Sequence, residues 1–360
     1  MKIAVLGGGH GAYAAAADLA EAGHEVRLWR RDAAAMQPLL DAGSIVLKDA
    51  SGAREVRLEL ATPDIGRALD GARLVVIPSP AIAQTDIARA MAPQLRDGQV
   101  VFLPPGTFGA FAMAEIVRGA GSRAKVLWAE TGTLPYLARK HGVREVNVTV
   151  RAIHLPTGVY PAVRGAEAID VIREAYPAVH ACGDALSGAL MNAGPIIHPP
   201  LIVMNAAPLQ QFERWDIHSE GTTPAVRAVT DRLDAERIAV REALGYGAPH
   251  YPLADHYTSD RWMYGDAHRQ LQKSGDWREH IELHTHRYMT EDTELGLAFL
   301  ASVARWAGVD APLAHGLLAV AGGVLGRDLR HGARTLESLG LAGLTKGELQ
   351  QILHDGHDGR

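Results

Sequence analysis

A chain of 360 residues, 47% of them hydrophobic, is long and apolar enough for two cores of ordinary domain size, which excludes disorder as its default state. A net charge of −5 with no basic block argues against nucleic acid as the main partner. The single cysteine, Cys182, excludes an internal disulfide and fits a reducing cytosol; no apolar run is long enough for a bilayer and no leader precedes the first strand, so a cytoplasmic protein with no membrane partner is expected.

The first predicted element is a short apolar strand, Ile3 to Leu6, that runs straight into Gly7-Gly8-Gly9-His10-Gly11-Ala12 and then an alanine-rich helix over Ala14 to Ala20. This is the dinucleotide-binding turn of a Rossmann unit in its Gly-x-Gly-x-x-Ala form, at Gly7, Gly9 and Ala12. Gly7 permits the tight turn, Gly9 lets the backbone approach a pyrophosphate, and Ala12 lets the helix pack close to the strand. His10 and Gly11 open the helix, whose N-terminus offers N–H groups and a positive dipole end to the phosphates. A second strand, Glu25 to Trp29, follows at the distance a βαβ unit requires. An NAD site usually places an acid at its end; this chain has Arg30 and Arg31, which suit a 2′-phosphate, and the nearest acid, Asp32, lies past that place. NADP(H) is therefore expected, with NAD(H) the weaker cofactor.

Next, the alternation in Ser44 to Lys48 and Arg54 to Leu60 predicts a small hairpin. Leu74 to Ile77, Val100 to Leu103 and Lys125 to Ala129 read as buried strands of a parallel sheet, ending at Pro78-Ser79-Pro80, Pro104-Pro105-Gly106 and Glu130-Thr131-Gly132. Ligands lie beyond the carboxyl ends of such strands, so these breakers are expected to border the nicotinamide end of the cofactor, with Pro80 and Glu130 among its contacts. Glu145 to His154 alternates too and is expected to extend the sheet with antiparallel strands. From about Ala185 helical patterns dominate, in Pro224 to Leu244, Glu294 to Ala307 and Pro312 to Ala321. The fold class is thus α/β: a Rossmann-type dinucleotide-binding domain over residues 1–184, then an all-helical domain over 185–360 that carries substrate and catalysis, with the active site expected in the cleft between them.

Two segments of the helical half stand out. His198 is followed by two prolines amid apolar residues, in Asn192-Ala193-Gly194-Pro195-Ile196-Ile197-His198-Pro199-Pro200, with Asn205-Ala206-Ala207 beyond. On its residues alone, His198 could equally be a satisfied core histidine. The second segment, His284 to Asp292, precedes the helix expected near Glu294, where its acids could simply be favourable N-terminal charges. His280, His284 and His286 invite a metal reading, but no cysteine lies near them and no metal is expected.

These motifs, in order along nearly the whole chain, resemble the octopine/nopaline (opine) dehydrogenase family. The resemblance covers the glycine turn, Pro105 to Thr107, Glu130-Thr131, Asn192 to His198 with Asn205-Ala206-Ala207, and Thr222-Thr223-Pro224. It continues through Asp234 to Ile238, Arg287-Tyr288 with Glu291-Asp292, and Arg334 to Gly340. It implies a reductive condensation of an amino acid with a 2-oxo acid through an imine, with a nicotinamide hydride, to an N-(carboxyalkyl) amino acid. It also implies a catalytic dyad, which falls here on His198 and Asp292. Histidine can both give and take a proton near neutral pH, and a bonded aspartate fixes its tautomer. Because the product carries two carboxylates, Arg287 is the candidate anchor, although a helix-flanking surface arginine would read the same, and Asn205 and Thr131 are weaker substrate-binding candidates. The family pattern is departed from at Arg30, where NAD-using relatives carry a carboxylate, and at His10, which replaces an asparagine. The loop from Arg261 to His284, with Trp262, Tyr264 and Trp277, is expected to shape the amine-donor pocket. Pairing through apolar helical faces would give a homodimer. The alternatives are a ketopantoate-reductase-like or 2-hydroxyacid reductase using a lysine such as Lys273, and a non-catalytic NADP(H)-binding sensor.

Overall fold

The structure, a computed structural model, describes residues 1–268, 270 and 278–356; Lys273 and Trp277 lie outside the described residues. The chain divides into two compact units, one of Met1–Ala189 joined by the stretch from Leu353 onward, the other of Leu190–Ile352.

The first unit is built on an eight-stranded sheet. In chain order its strands and those of a smaller neighbouring sheet are β1 (Lys2–Leu6), β2 (Glu25–Trp29), β3 (Ser44–Asp49), β4 (Gly52–Arg57), β5 (Leu60–Thr62), β6 (Leu74–Val76), β7 (Val100–Leu103), β8 (Leu127–Thr131), β9 (Tyr136–His141), β10 (Glu145–Arg151), β11 (Leu155–Tyr160) and β12 (Val179–Asp184). The large sheet runs β12-β11-β8-β7-β6-β1-β2-β5. It is parallel from β5 through β8, and β11 then pairs antiparallel to β8. The small sheet runs β4-β3-β10-β9. Its β3–β4 hairpin is the one the alternation predicts, although Leu60 leaves it to begin β5 on the edge of the large sheet.

One expectation fails. Glu145 to Arg151 does not extend the large sheet; it lies in the small one, parallel to β3 and antiparallel to β9. Its buried Val146, Val148 and Val150 alternate with more exposed residues, as in a half-covered sheet. The strand that does extend the large sheet is β11, whose Pro156 and Gly158 read as breakers although all six of its residues are buried.

Helix α1 (His10–Glu21) touches strands of both sheets, and the run Gly11 to Ala17 is buried throughout. A helix covered on every side must be apolar all round, and a thin one lets two sheets approach it; alanine supplies both. Polar clamps finish the contact. Arg54 bonds Glu21 of α1 and lies 2.8 Å from Asp49 Oδ1, while Arg151 reaches Asp18 of α1 at 2.7 Å and Asp49 at 2.9 Å. The Asp49 carboxyl is held far below its usual range by the Arg54 hydrogen bonds first and by Arg151 in addition, against the opposing effect of burial. Further along, α2 (Gly109–Gly119) and α3 (Gly165–Ala175) pack on the large sheet.

The second unit is helical, with α4 (Gly194–Met204), α5 (Pro224–Ala243), α6 (Ala298–Ala307), α7 (Pro312–Leu325) and α8, which starts at Lys346. Asp234 and Arg237 of α5 form a buried pair at 2.6 Å. Arg237 also donates to the carbonyls of Leu190 and His250, and Asp234 accepts from Leu253 N–H, so this quoted motif is spent on holding the unit's backbone. Glu236 accepts from the N–H groups of Leu313 and Ala314 and caps α7. Ahead of α6 runs a wide, π-type helical segment, Tyr288–Leu297, in which Thr293 Oγ1 donates to the Tyr288 carbonyl five residues back at 2.7 Å. The helical run thus begins at Tyr288 rather than near Glu294. Glu291 and Asp292 are buried within it instead of capping its start. Among the described residues no helix is long and apolar enough to cross a membrane.

Candidate active site

The dinucleotide cradle is carried by the first unit. Gly7 sits at φ +150°, where a Cβ would meet Ser79 Oγ at 2.7 Å and Ala12 Cβ at 3.2 Å, so only glycine makes this turn. Gly7 N–H donates to the Trp29 carbonyl at 2.9 Å, tying the turn to β2. A Cβ on Gly9 would meet nothing within 4 Å, which leaves open the side from which a pyrophosphate approaches. At Gly11 a Cβ would meet Leu134 at 2.8 Å and Pro78 at 3.2 Å, so this glycine and the buried Ala12 permit close packing. The first helical bond runs from Tyr13 N–H to the Gly9 carbonyl, and no acid occupies the first turn of α1. Such an N-terminus suits a phosphate. His10, the first residue of α1, accepts the Lys140 N–H at Nδ1 at 2.8 Å. The residues present therefore fit a nicotinamide dinucleotide.

Arg30 lies directly over the turn. A Cβ on Gly8 would meet its Cδ and Nε at 2.7 Å, and its guanidinium donates to the Ala35 carbonyl at 3.1 Å. Arg31 points outward and pairs with Asp86 at 2.9 Å, both well exposed. Asp32 accepts the Ala35 N–H at 3.0 Å and is spent on the local turn. Pro80 is half-buried in extended conformation, its carbonyl accepting the Ala83 N–H at 2.9 Å. Glu130 has a different place from the one expected. It is fully buried, accepting the N–H groups of Phe108 at 2.7 Å and Ala110 at 3.1 Å at the start of α2. Gly106 lies so close that a Cβ there would meet Glu130 Oε2 at 2.2 Å. The carboxylate caps a helix and has no surface to present to a cofactor.

In the second unit the structure brings His198 and Asp292 together, across 94 positions of sequence. Nδ1 of His198 lies 2.8 Å from Asp292 Oδ2. Their side chains are 17% and 6% exposed, so the imidazole keeps a path to solvent while the carboxylate does not. Two glycines permit this. A Cβ on Gly194 would meet Asp292 Oδ1 at 2.2 Å, and one on Gly296 would meet Pro195 Cγ at 2.3 Å, so each glycine leaves room for a side chain of the facing segment. Pro199 and Pro200 lie inside α4 and deprive the carbonyls of Pro195 and Ile196 of their usual donors.

Arg287 pairs with Glu291 at 3.0 Å, four residues on, and its side chain is 48% exposed. Partial burial opposes its charge, but the Glu291 and Asp292 carboxylates outweigh that and hold its pKa above the usual guanidinium value. Asn205 and Thr131 are placed otherwise than expected. Asn205 donates to the carbonyls of Leu201 and Gly221 and accepts the Trp215 indole N–H at 3.1 Å. Thr131 is fully buried and donates to the Pro156 carbonyl at 2.8 Å. Both side chains are engaged in holding backbone. Two residues not singled out in sequence surround the dyad: Tyr288 stacks on the His198 ring, and His218 bonds its hydroxyl. Tyr288 adjoins Arg287 in a quoted motif; His218 carries no signal at all. Of the histidines considered for metal, His280 contacts the Glu213 carbonyl, His284 pairs with Glu282, and His286 lies edge-on to Tyr288. Among the described residues no group of three or more metal-ligating side chains occurs.

A glycine turn that fits a dinucleotide, followed by a helical domain with a histidine–carboxylate pair, defines an NAD(P)-dependent oxidoreductase of the two-domain Rossmann class. Residues 2–104 match the N-terminal domain of NAD-dependent glycerol-3-phosphate dehydrogenases, and residues 181–325 match the alpha-helical domain of NAD/NADP octopine/nopaline dehydrogenases. An opine dehydrogenase of Arthrobacter sp. (strain 1C) is 32% identical over 95% of this chain and 96% of its own length. Octopine dehydrogenase solved with NADH and agmatine shares the fold at a TM-score of 0.70 and 21% identity, over 96% of this chain and 98% of that one. Yersinopine dehydrogenase solved with NADP+ does so at 0.66 and 15%, over 100% and 99%. The chain belongs to the octopine (opine) dehydrogenase family, and it is an NAD(P)-dependent opine dehydrogenase. That sets aside the ketopantoate-reductase-like and sensor readings.

Proposed function

We propose that this enzyme joins the amino group of an amino acid to a 2-oxo acid and reduces the resulting imine with NADPH, and that His198 is its acid–base group. The hydrogen bond between His198 Nδ1 and Asp292 carries the reading. With Nδ1 committed to the carboxylate, Nε2 is the nitrogen left to exchange a proton with substrate. It protonates the carbonyl oxygen as the amine adds, takes a proton back from the added nitrogen, and passes it to the new hydroxyl, which leaves as water to give the protonated imine. Asp292, buried at His198's side, stabilises the imidazolium and fixes its tautomer. When bound, the nicotinamide supplies the hydride. Arg287, half-exposed and strongly cationic, offers a guanidinium to a substrate carboxylate. Relatives solved with agmatine, with pyruvate and with L-arginine support an amino-compound donor and a 2-oxo acid acceptor.

The preference for NADP(H) rests on Arg30 beside the glycine turn, with Asp32 turned to Ala35. A cytoplasmic homodimer completes the proposal: the lone cysteine suits a reducing compartment, and exposed Phe212 and Val320 supply apolar surface on the helical unit. The test is a matrix of amino acids against pyruvate, glyoxylate and 2-oxoglutarate, scored by loss of NADPH absorbance. Oxidation that requires the amine is expected. His198→Ala should lower turnover by roughly 10²-fold or more and leave NADPH binding intact. Oxidation without amine, or near-normal turnover in His198→Ala, would sink the proposal.

A further inference from the structure

The dyad is clamped from a second direction. The Tyr288 ring lies face to face with the His198 imidazole, centroids 3.7 Å apart and planes 10° from parallel. Tyr288 is 5% exposed, and its hydroxyl meets His218 Nε2 at 2.7 Å. His218 itself stands edge-on to the His198 ring, with centroids 6.0 Å apart. Tyr288 and Asp292 are four residues apart on one face of the π-type segment, so a single element delivers both contacts. Asp292 fixes the imidazole within its plane at Nδ1, but one hydrogen bond leaves the ring free to swing about that axis. A phenol stacked on its face removes that swing.

We infer that Tyr288, anchored by His218, is a positioning residue that fixes the plane of His198 and stabilises its protonated form. The inference rests on the reading of His198 as the acid–base group. An aromatic face attracts a cation laid over it, and the attraction is stronger where water is partly excluded. The imidazolium therefore gains from Tyr288 as well as from Asp292, while neutral imidazole gains little. The other titratable groups facing this assembly are His218 and His286, both against Tyr288, and the Arg287–Glu291 pair beside Asp292. None of them is stacked on His198. His218 acts through the phenol, since its Nε2 holds the hydroxyl and so the ring's orientation.

The experiment compares wild type, Tyr288→Phe, Tyr288→Leu and His198→Ala with NADPH, pyruvate and the amino acid that supports the fastest oxidation. It reads kcat, KM and the pH profile of kcat/KM, with NADPH fluorescence as the check on folding. Tyr288→Leu should lower kcat about tenfold with little change in KM, and should move the alkaline limb of the reductive profile down by about one pH unit. Tyr288→Phe keeps the stack but loses the His218 anchor, so its limb should move down by less than that of Tyr288→Leu. Should Tyr288→Leu not fold, trifluorophenylalanine at 288, set against Tyr288→Phe, keeps the size and drains the ring; its limb must move down. An unmoved limb in Tyr288→Leu or in the fluorinated variant overturns the inference, as does a Tyr288→Phe profile displaced as far as that of Tyr288→Leu. His198→Ala separates the two readings. If it is inactive while the limb stays put, the stack alone is wrong; if it retains turnover, the acid–base reading falls and takes the stack with it.

Discussion

Gly194 shows how a residue without a side chain can decide the chemistry of one that has one. Its missing Cβ is what admits Asp292 Oδ1 beside the start of α4, and the same carboxylate then reaches His198. Gly194→Ala would press a methyl group into that oxygen. The carboxylate must then rotate away from Nδ1, so turnover should fall about tenfold or more while NADPH affinity stays unchanged. Unchanged turnover would show that Asp292 has slack to yield. The His198-Pro199-Pro200 run stood out locally, but its pairing with Asp292 came from the family resemblance, because a core histidine or a helix-start acid would read the same. Asn205 and Thr131 were the weaker substrate-binding candidates, and Glu130 an expected cofactor contact. What sequence does not show is which backbone groups have already claimed a polar side chain. Asn205 is claimed by Leu201, Gly221 and Trp215, Thr131 by Pro156, and Glu130 by Phe108 and Ala110.

Among the elements, β1, α1 and β2 were readable because strand, glycine turn and helix each signal the same unit locally. The placement of β10 was not, since alternation tells which face is buried and nothing about which sheet receives it. The π-type segment was hidden too: its residues are compatible with an ordinary helix start, and nothing local marks the wide turns that begin at Tyr288. The contact between α1 and the small sheet carries its own prediction. Asp49 and Glu21 are both held below their ordinary values of 3.8 and 4.5, chiefly by Arg54. A lowered carboxylate binds fewer protons folded than unfolded, so its stabilisation is fully present above the unfolded value and is lost as acid approaches the folded one. Melting temperature should therefore drop steeply below about pH 4, and Asp49→Asn should flatten that drop while lowering the plateau near neutrality. Equal acid sensitivity in wild type and Asp49→Asn would remove the clamp as a source of it.

For the molecule as a whole, cofactor binding offers a readout that needs no substrate. A ligand that binds only the folded chain stabilises it by about 2.7 kcal/mol at a hundredfold excess over its Kd. At equal concentration, NADPH should raise the melting temperature more than NADH does. Arg30→Asp should erase or reverse that order, because a carboxylate beside Gly8 repels a 2′-phosphate and accepts a ribose hydroxyl. Equal stabilisation by the two cofactors in both proteins would refute the assignment. The two-part plan was legible at this scale, since the shift from alternating strands to helical periods falls near Ala185. The return of the chain from Leu353 to the first unit was not, because a short amphipathic helix looks the same wherever it docks.

Helix α1 is wedged between two sheets with nothing larger than alanine along Ala14 to Ala17. Added bulk there would have to push whole sheets apart, a change no single mutation survives cheaply. Evolutionary drift between the two coenzymes is thereby shut out of the helix that receives their phosphates. On the proposed reading it falls instead to Arg30, just past β2, whose side chain lies against Gly8 outside that alanine run.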